Sequence, residues 1–434
     1  MSNKLSRRQF LKALGAAGAG IVTTGLLGKT LPRVIAQALN DYLYLPLVSR
    51  GGTIPSSTGT PSGTISPGDT STPTSTATPT ATDTATDPTA IPTTAMPPGT
   101  NPRVVHVHDP DATSWDGTDP YYWNYVDQNV VNTMVDQGLM TLTGASSVAN
   151  AWHALLPKYQ PGQGIAIKVN FNNTQTCANL DAKIDAIIEP VNSIIRGLKT
   201  IGVVESDVWV YDAIRSIPDK FVNGCQYSGV QFYGDCRNQP GWGSNDPHAL
   251  VDFYPPSGVP QPDRLIRIPD VLINASYLIN IPIMKPHGYT GTTLALKNHF
   301  GSIDHPRDLH QYLHDGTYYT ADYSPLVDLY RNPHILNKTI LTLGDGIYSC
   351  SISNLHPPQL WSTFDNNVPE SLFFSTDPVA IDCVMTDFIY AENSKIPDPS
   401  YLPLAGAAGL GIFERGDPWG SGYNQIDYMR TNIR

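Results

Sequence analysis

The stretch LINIPIMKPHGYTGTTLALKNHFGSIDHPRDLH, residues 278–310, decides the predicted fold. Its apolar beginning, Leu278–Met284, is typical of a buried strand. Gly and Pro in the next four residues, Lys-Pro-His-Gly at 285–288, indicate that the chain leaves the sheet there. A short helix is predicted over Leu294–Phe300, with Gly301 as its stop. A buried strand that leads into a helix in this way is the repeating unit of an α/β domain.

The junction between this strand and this helix predicts an anion site. Unpaired backbone N–H groups and the helix dipole would point at one place, with Lys285, His287 and Lys297 around it. Residues 285–314 also hold five of the eleven histidines of an acidic chain. The sequence therefore concentrates groups that bind anions or transfer protons in one segment.

The rest of the chain after residue 102 alternates between strand and helix patterns. Strands are predicted over 103–108, 164–170, 208–212, 230–233, 340–346 and 371–375. Helices are predicted over 122–138, 152–157, 181–200 and 377–390, the last of these capped by Thr376 or Asp377. The fold class that follows is α/β, with a largely parallel or mixed sheet flanked by helices.

Four predicted strands end in polar residues, and ligands of such sheets bind outside the carboxyl ends of the strands. The strand-end residues are Lys168, Asn170, Asp212, Lys285, His287 and Asp345. We expect His287 or His310 to be the catalytic acid–base group, with Asp345 orienting it or holding a metal. In the alternative interpretation, Lys285 and Lys297 pair with Asp345 or Asp377 and only brace the sheet.

The motifs in this region resemble the domain-of-unknown-function family 362. Members of that family carry a strand ending in Lys-x-His, here Lys285 and His287, and then a Thr-x-x-x-Lys-Asn-x-x-Gly helix. The second motif corresponds to Thr293, Lys297, Asn298 and Gly301, and the resemblance spans roughly residues 102–434. From their place at the strand ends and on the following helix, we expect a ligand to be contacted by Lys168, Asn170, Lys285, Thr293, Lys297 and Asn298. The alternative for Asn298 is a hydrogen bond at the helix end. The family usually has Lys-Pro-Asn where this chain has Lys-Val-Asn at 168–170. The layout is also distantly similar to that of the nickel-pincer lactate racemases, which use Lys and His at a strand end.

A divalent metal is a further expectation. His310 and His314 stand four residues apart, and on a helix they would share a face and could bind a metal such as Zn²⁺. The alternative is a histidine pair on the surface or in the core. Some members of the resembled family carry iron–sulfur modules, but none is expected here because the five cysteines contain no Cys-x-x-Cys.

Residues 1–38 are predicted to be a twin-arginine signal peptide. Ser-Arg-Arg-Gln-Phe-Leu-Lys at 6–12 is followed by a mildly apolar run and by Ala-Gln-Ala at 36–38, which fits a cleavage site. The twin-arginine export machinery is therefore an expected partner, and the protein is expected in the periplasm, on the cell surface or outside the cell. We expect no membrane span in the mature form.

Residues 39–101 are predicted to be a disordered linker, because 38 of the 50 residues at 51–100 are Ser, Thr, Pro or Gly. Loss of residues 1–38, with six basic residues and no acidic one, would leave 21 basic against 38 acidic residues, a net charge of −17. A surface of that charge repels nucleic acid, so we expect no such partner.

Two functions from different classes follow. The first is an exported enzyme, or enzyme-like protein, that binds a small anionic molecule at the Lys/His/Asp site. The second is a non-catalytic cell-envelope protein for binding or adhesion on a flexible stalk, using aromatic side chains such as Trp242, Tyr254 and Trp419. Convergence of the Lys, His and Asp side chains in one cleft would favour the first function, and an aromatic groove would favour the second.

Overall fold

The computed structural model describes residues 101–433. Their main sheet has eight strands, which we number with a separate two-stranded hairpin, β6–β7, in chain order. The strands are β1 Arg103–His108, β2 Ile165–Lys168, β3 Val208–Tyr211, β4 Gln231–Tyr233, β5 Tyr277–Asn280, β6 Pro286–His287, β7 Gly291–Thr292, β8 Thr339–Gly346, β9 Ser371–Ser375 and β10 Asp427–Asn432. The α/β expectation is confirmed, with a mixed sheet flanked by helices.

The helices connect the strands and cover both faces of the sheet. They are α1 Gln128–Thr143, α2 Val148–Leu155, α3 Glu189–Lys199, α4 Asp219–Asn223, α5 Asp270–Asn274, α6 Ala295–Asn298, α7 Pro325–Tyr330, α8 Pro333–Leu336, α9 Pro378–Glu392 and α10 Tyr401–Ala407. Short 3₁₀ segments include His299–Ser302 and Pro306–Tyr312. Within 101–433, none of the helices has the length and hydrophobicity needed to cross a bilayer.

The order of strands across the sheet is β10-β1-β9-β8-β5-β2-β3-β4. β9 runs antiparallel to both of its neighbours, and the other pairs are parallel. The carboxyl ends of β8, β5, β2 and β3 therefore lie side by side at one edge. This is the arrangement that the polar strand ends predict.

Two hydrophobic cores lie on opposite faces of the sheet, because side chains alternate along a strand. On β1, Val105 and Val107 belong to the first core, and Val104 belongs to the second. Helices α1 and α3 pack together over the first core, while residues of α6 and α9 are buried in the second.

Several boundaries differ from the prediction. The regular ladder of β5 stops at Asn280 because Pro282 has no N–H to donate, although Ile283 still bridges to Asp345 of β8. The helix predicted over 181–200 begins only at Glu189, with Pro190 in its first turn, where proline is well tolerated. The edge strand β10 was missed because Asp-Tyr-Met-Arg-Thr-Asn lacks an apolar alternation.

The cysteines pair across two loops that are distant in sequence. Cys177 and Cys236 form a disulfide with a Cα–Cα distance of 6.1 Å, and Cys225, Cys350 and Cys383 are free. The signal peptide and the linker, apart from Asn101, lie outside the described residues.

Candidate functional site

A pocket of about 80 Å³ opens beside the carboxyl ends of β2, β3 and β5. Six of the predicted site residues line it, namely Asn170, His287, Thr293, Lys297, Asn298 and His310. Lys168, Lys285, Asp345 and His314 are not among the lining residues. The structure thus brings His287 together with residues of the following helix and with His310, but it leaves Lys285 and the other three residues out of the pocket wall.

The segment that carries Lys297 is held by a buried carboxylate. After β5 the chain forms the β6–β7 hairpin and then α6. Asp382 of α9 accepts the backbone N–H of Ala295 at 2.6 Å and that of Leu296 at 3.2 Å, and burial raises the pKa of this carboxyl to about 7. The expectation that these N–H groups hold an external anion is therefore wrong, because a side chain of the protein itself already occupies them.

Lys297 is buried in the pocket wall without an anionic partner. Its side chain is about 5% exposed, and its Nζ lies 3.2 Å from the ring centre of Phe300. Within the part of the chain that the structure describes, no carboxylate lies within ion-pair distance of this ammonium. Burial, and then repulsion from Arg215, holds the pKa of Lys297 well below its usual range. An anion bound beside Nζ would supply the missing countercharge.

The bottom of the pocket is a polar floor made by Lys168, Asn170, Asp212 and Asn298. Lys168 Nζ donates to Asp212 Oδ2 at 3.2 Å and to Asn298 Oδ1 at 3.3 Å. Asn170 Nδ2 donates to the same Asn298 oxygen at 3.0 Å, and Asn298 Nδ2 donates to Asn280 Oδ1 at 2.8 Å. These internal bonds fix the orientation of the amide groups at the floor. Lys168, which the sequence predicted as a ligand contact, instead braces this network.

Position 301 is occupied by glycine because there is no space for a side chain. A Cβ atom added there would lie 2.5 Å from Lys168 Nζ and 2.8 Å from Asp212 Oδ1. The backbone after α6 therefore approaches the buried ion pair more closely than any other residue type would allow. Gly301 does not stop the helix as predicted, since the 3₁₀ turn His299–Ser302 runs through it.

Lys285 is an internal brace and not a wall of the pocket. It is fully buried, and its Nζ donates to Asn170 Oδ1 at 3.0 Å and to the Ile184 carbonyl at 3.4 Å. Burial lowers the pKa of Lys285 to about 8, and the Asp185 carboxylate partly opposes that shift. Neither Lys285 nor Lys297 forms an ion pair with Asp345 or Asp377 in the described structure. Asp377 instead caps α9 through the N–H groups of Val379 and Ala380, and Asp345 accepts the N–H of Ile347.

Two histidines face each other across the pocket with opposite tautomers. The ring centres of His287 and His310 are 6.2 Å apart. His287 Nδ1 accepts the backbone N–H of Tyr289 at 3.1 Å, which places the proton of the neutral ring on Nε2. His310 Nδ1 lies 3.1 Å from the Pro306 carbonyl, an acceptor, so it carries the proton and Nε2 keeps its lone pair. Burial lowers the pKa of His310 to about 3 and that of His287 well below its usual value.

Asp345 does not orient either histidine through any hydrogen bond in the described structure. Its carboxylate accepts the N–H of Ile347 at 3.2 Å, and its backbone pairs with Pro282 and Met284. Burial raises the pKa of Asp345 to about 7. The histidines are instead held by backbone groups of their own loops, so the predicted orienting role has no geometric support.

His310 and His314 do not have the relative placement that the predicted metal site requires. His310 lies in the 3₁₀ segment Pro306–Tyr312, which ends before His314, and His314 forms an exposed contact with Asp315 at 3.3 Å. The two rings therefore do not stand one turn apart on an α-helix. Across residues 101–433, no three His, Cys, Asp or Glu side chains are grouped so that they could hold a metal ion.

Sequence reasoning missed Arg215, which also lines the pocket. It lies in the turn after β3, three residues past Asp212, and the only signal for it was its place behind a polar strand end. A second feature that only the structure shows is the hydroxyl of Thr293, whose buried Oγ1 has no hydrogen-bond partner among residues 101–433. A hydroxyl left unpaired in a pocket wall is costly unless a ligand or a water molecule completes it.

Comparison with known proteins identifies the family and the export signal. The model of the domain of unknown function DUF362 matches residues 165–387, and the model of the twin-arginine translocation pathway signal sequence matches residues 4–24. Both matches confirm what the motifs predicted, and the signal sequence indicates export across the membrane. No curated protein matches the chain.

Two solved structures are distantly similar to this chain. The lactate racemase apoprotein from Thermoanaerobacterium thermosaccharolyticum has 10% sequence identity and a TM-score of 0.37, and the match covers 60% of this chain and 55% of that one. A protein from Thermotoga maritima has 11% identity and a TM-score of 0.35, with 65% and 61% covered. The chain thus spans less than two thirds of either structure.

Proposed function

This chain belongs to the DUF362 family, and from that premise we propose that it is an exported enzyme that binds a small anionic ligand and transfers a proton to or from it. The observation that carries the proposal is Lys297, a buried ammonium group in the pocket wall with no carboxylate partner in the described structure. Leaving a buried charge unpaired costs stability unless a ligand supplies the opposite charge. Functional sites are where such costs are retained.

The histidine pair supports proton transfer. At neutral pH both rings are uncharged, since burial lowers the pKa of each. In the proposed mechanism, His310 Nε2 accepts a proton from the bound ligand, and His287 Nε2–H donates a hydrogen bond to the ligand oxygen on which negative charge then develops. A neutral base and a neutral hydrogen-bond donor can work in one step without prior loss or gain of protons.

The remaining wall groups would position the ligand. Thr293 Oγ1 is free to bond an oxygen of the ligand, and Lys297 would offset its negative charge. Asn170 and Asn298 present amide groups whose orientation the polar floor already fixes. Groups held in place before the ligand arrives lose little conformational freedom when they bind it.

The alternative of a binding or adhesion protein has no comparable support. Trp419 packs against Phe364 and Phe388, Trp242 packs against the second core, and Tyr254 is exposed. No ring contact joins these three aromatic residues in the described structure, so they do not form the groove that this function needs.

The anion-binding half of the proposal is tested with Lys297→Met. This change keeps the aliphatic stem, so it removes the charge with little loss of packing. We expect a melting temperature without ligand that is unchanged or higher, and loss of the stabilisation by phosphate and small carboxylates. Loss of one charge-assisted hydrogen bond corresponds to roughly 1.5–3 kcal/mol of binding energy. Lys158→Met is the matched control, because Lys158 is exposed. A large drop in melting temperature with intact anion stabilisation would show that Lys297 is structural.

The proton-transfer half is tested in deuterium oxide. The same carboxylates are incubated with the protein, and NMR follows the incorporation of deuterium at the carbon next to the anionic group. We expect incorporation for at least one of them and none with His310→Gln. If the carboxylates bind but take up no deuterium, the protein binds anions without transferring a proton at carbon in any of the carboxylates tested.

A further inference from the structure

We propose that the pocket selects small dianions over monoanions, by holding the ligand between the guanidinium group of Arg215 and the ammonium group of Lys297. This inference rests on the proposed function and adds the class of ligand to it. It depends on the charges that line the pocket and on the space between them.

The charge inventory of the pocket is two cations and one acid. The cationic side chains in its wall are those of Arg215 and Lys297, and the carboxylate is that of Asp212. The Asp212 carboxylate is already engaged, since it accepts Lys168 Nζ at 3.2 Å and the Phe171 N–H at 3.1 Å. It therefore balances Lys168, and the other two cations remain without a negative partner.

Arg215 has no ion pair in the described structure. Its hydrogen bond, from Nη1 to Gln175 Oε1, is 3.5 Å long and involves a neutral acceptor. The planar donors of the guanidinium group suit a carboxylate or phosphate. A single anionic group of a ligand would balance the charge of Arg215 but would leave that of Lys297 without a partner.

Lys297 needs the second negative charge. Arg215 lies near enough for its charge to lower the pKa of Lys297, beyond the effect of burial. A monoanion that neutralises Arg215 leaves the burial cost of the Lys297 ammonium in place, so it would bind weakly. A dianion also supplies the countercharge of Lys297, so its binding favours the protonated amine and proton uptake.

The volume limits the ligand. One water molecule needs a cavity volume of about 10–15 Å³ when the volume is counted as the space open to the centre of a water molecule. The 80 Å³ of the pocket therefore has room for roughly six non-hydrogen atoms. Oxalate, malonate and inorganic phosphate are of about this size. The shared chemistry is two negative charges on oxygen atoms a few ångströms apart.

The experiment compares dianions with monoanions at pH 8 and constant ionic strength. Isothermal titration calorimetry measures the dissociation constants of oxalate, malonate and phosphate against those of formate and acetate, in two buffers with different ionisation enthalpies. We expect at least one dianion to bind tenfold or more tightly than either monoanion and to take up protons on binding. Comparison of the dicarboxylates with phosphate shows whether the preferred dianion carries its charges on two carboxylates or on one phosphate group.

Arg215→Gln and Lys297→Met should each reduce the preference to less than threefold and abolish the proton uptake. Arg264→Gln, at an exposed arginine, should leave both unchanged. Equal binding of dianions and monoanions that still requires Lys297 would overturn the selectivity and leave the proposed function standing. If no anion in the panel binds, the selectivity falls together with the anion-binding function.

Discussion

The rings of His287 and His310 lie with their centres 6.2 Å apart, and each is held by a backbone group of its own loop. A backbone N–H fixes one ring, and a backbone carbonyl fixes the other. The two Nε2 atoms therefore differ in the neutral rings, being a donor on His287 and an acceptor on His310. This difference arises from the local chain and needs no carboxylate.

The histidine arrangement predicts a specific NMR result. At pH 7 the long-range ¹⁵N spectrum of the protein should show His310 protonated at Nδ1 and His287 protonated at Nε2. His310 should remain neutral down to pH 5, because burial lowers its pKa to about 3, and His287 should titrate well below its usual range, because burial lowers its pKa too. Titration of either ring near pH 6.5 would contradict the structure.

Loss of Lys168 from the buried ion pair of the polar floor should destabilise the protein, whereas Lys297→Met should not. Lys168→Met leaves Asp212 buried and without its cation. We expect the free energy of unfolding to fall by roughly 3–5 kcal/mol, the scale for breaking one side of a buried pair. Chemical denaturation measures the change. The double variant Lys168→Met with Asp212→Asn should recover part of the loss, and a fall of the same size in Lys158→Met would argue against the assignment.

The disulfide predicts a loss of stability on its removal. Cys177 and Cys236 are separated by 59 positions in the chain. A crosslink over a loop of that length stabilises a fold by roughly 4 kcal/mol, mainly because it restricts the unfolded chain. The variant Cys177→Ser with Cys236→Ser should lose about this amount in guanidinium denaturation of the oxidised protein. Cys225→Ser, at a free cysteine, is the control, and identical stability of the double variant would show that the bridge does not form.

Asp345 predicts how stability depends on pH. Burial raises the pKa of this carboxyl to about 7 in the folded protein, above its value in the unfolded chain. The folded state therefore holds the proton more tightly, and the stabilisation is complete below the unfolded pKa and is lost as the pH rises through about 7.

The variant Asp345→Asn, which resembles the protonated side chain, isolates this effect. Between pH 5 and 8, the free energy of unfolding of the wild type should fall relative to that of the variant, by up to about 1.4 kcal/mol per pH unit. Urea denaturation at several pH values measures the difference. A difference that does not vary with pH would mean that Asp345 is already ionised in the folded protein.

The sequence by itself determined the α/β class, most strands and the edge at which their polar ends meet. These features follow from the local spacing of apolar residues and from the Gly and Pro residues that interrupt it. His287 and Lys297, which line the pocket, were identified in the same way. The family and the export signal were readable from short motifs, because such motifs are contiguous in the chain.

Only the tertiary structure decided which polar residue serves which purpose. Lys285 and Lys297 look alike in the sequence, but Lys285 is bonded to Asn170, 115 positions away, and Lys297 has no such partner. The N–H groups of α6 were expected to bind an anion, and Asp382, 87 positions from Ala295, already accepts them. Burial and countercharge set the state of each group, and both come from segments that meet only in the folded chain.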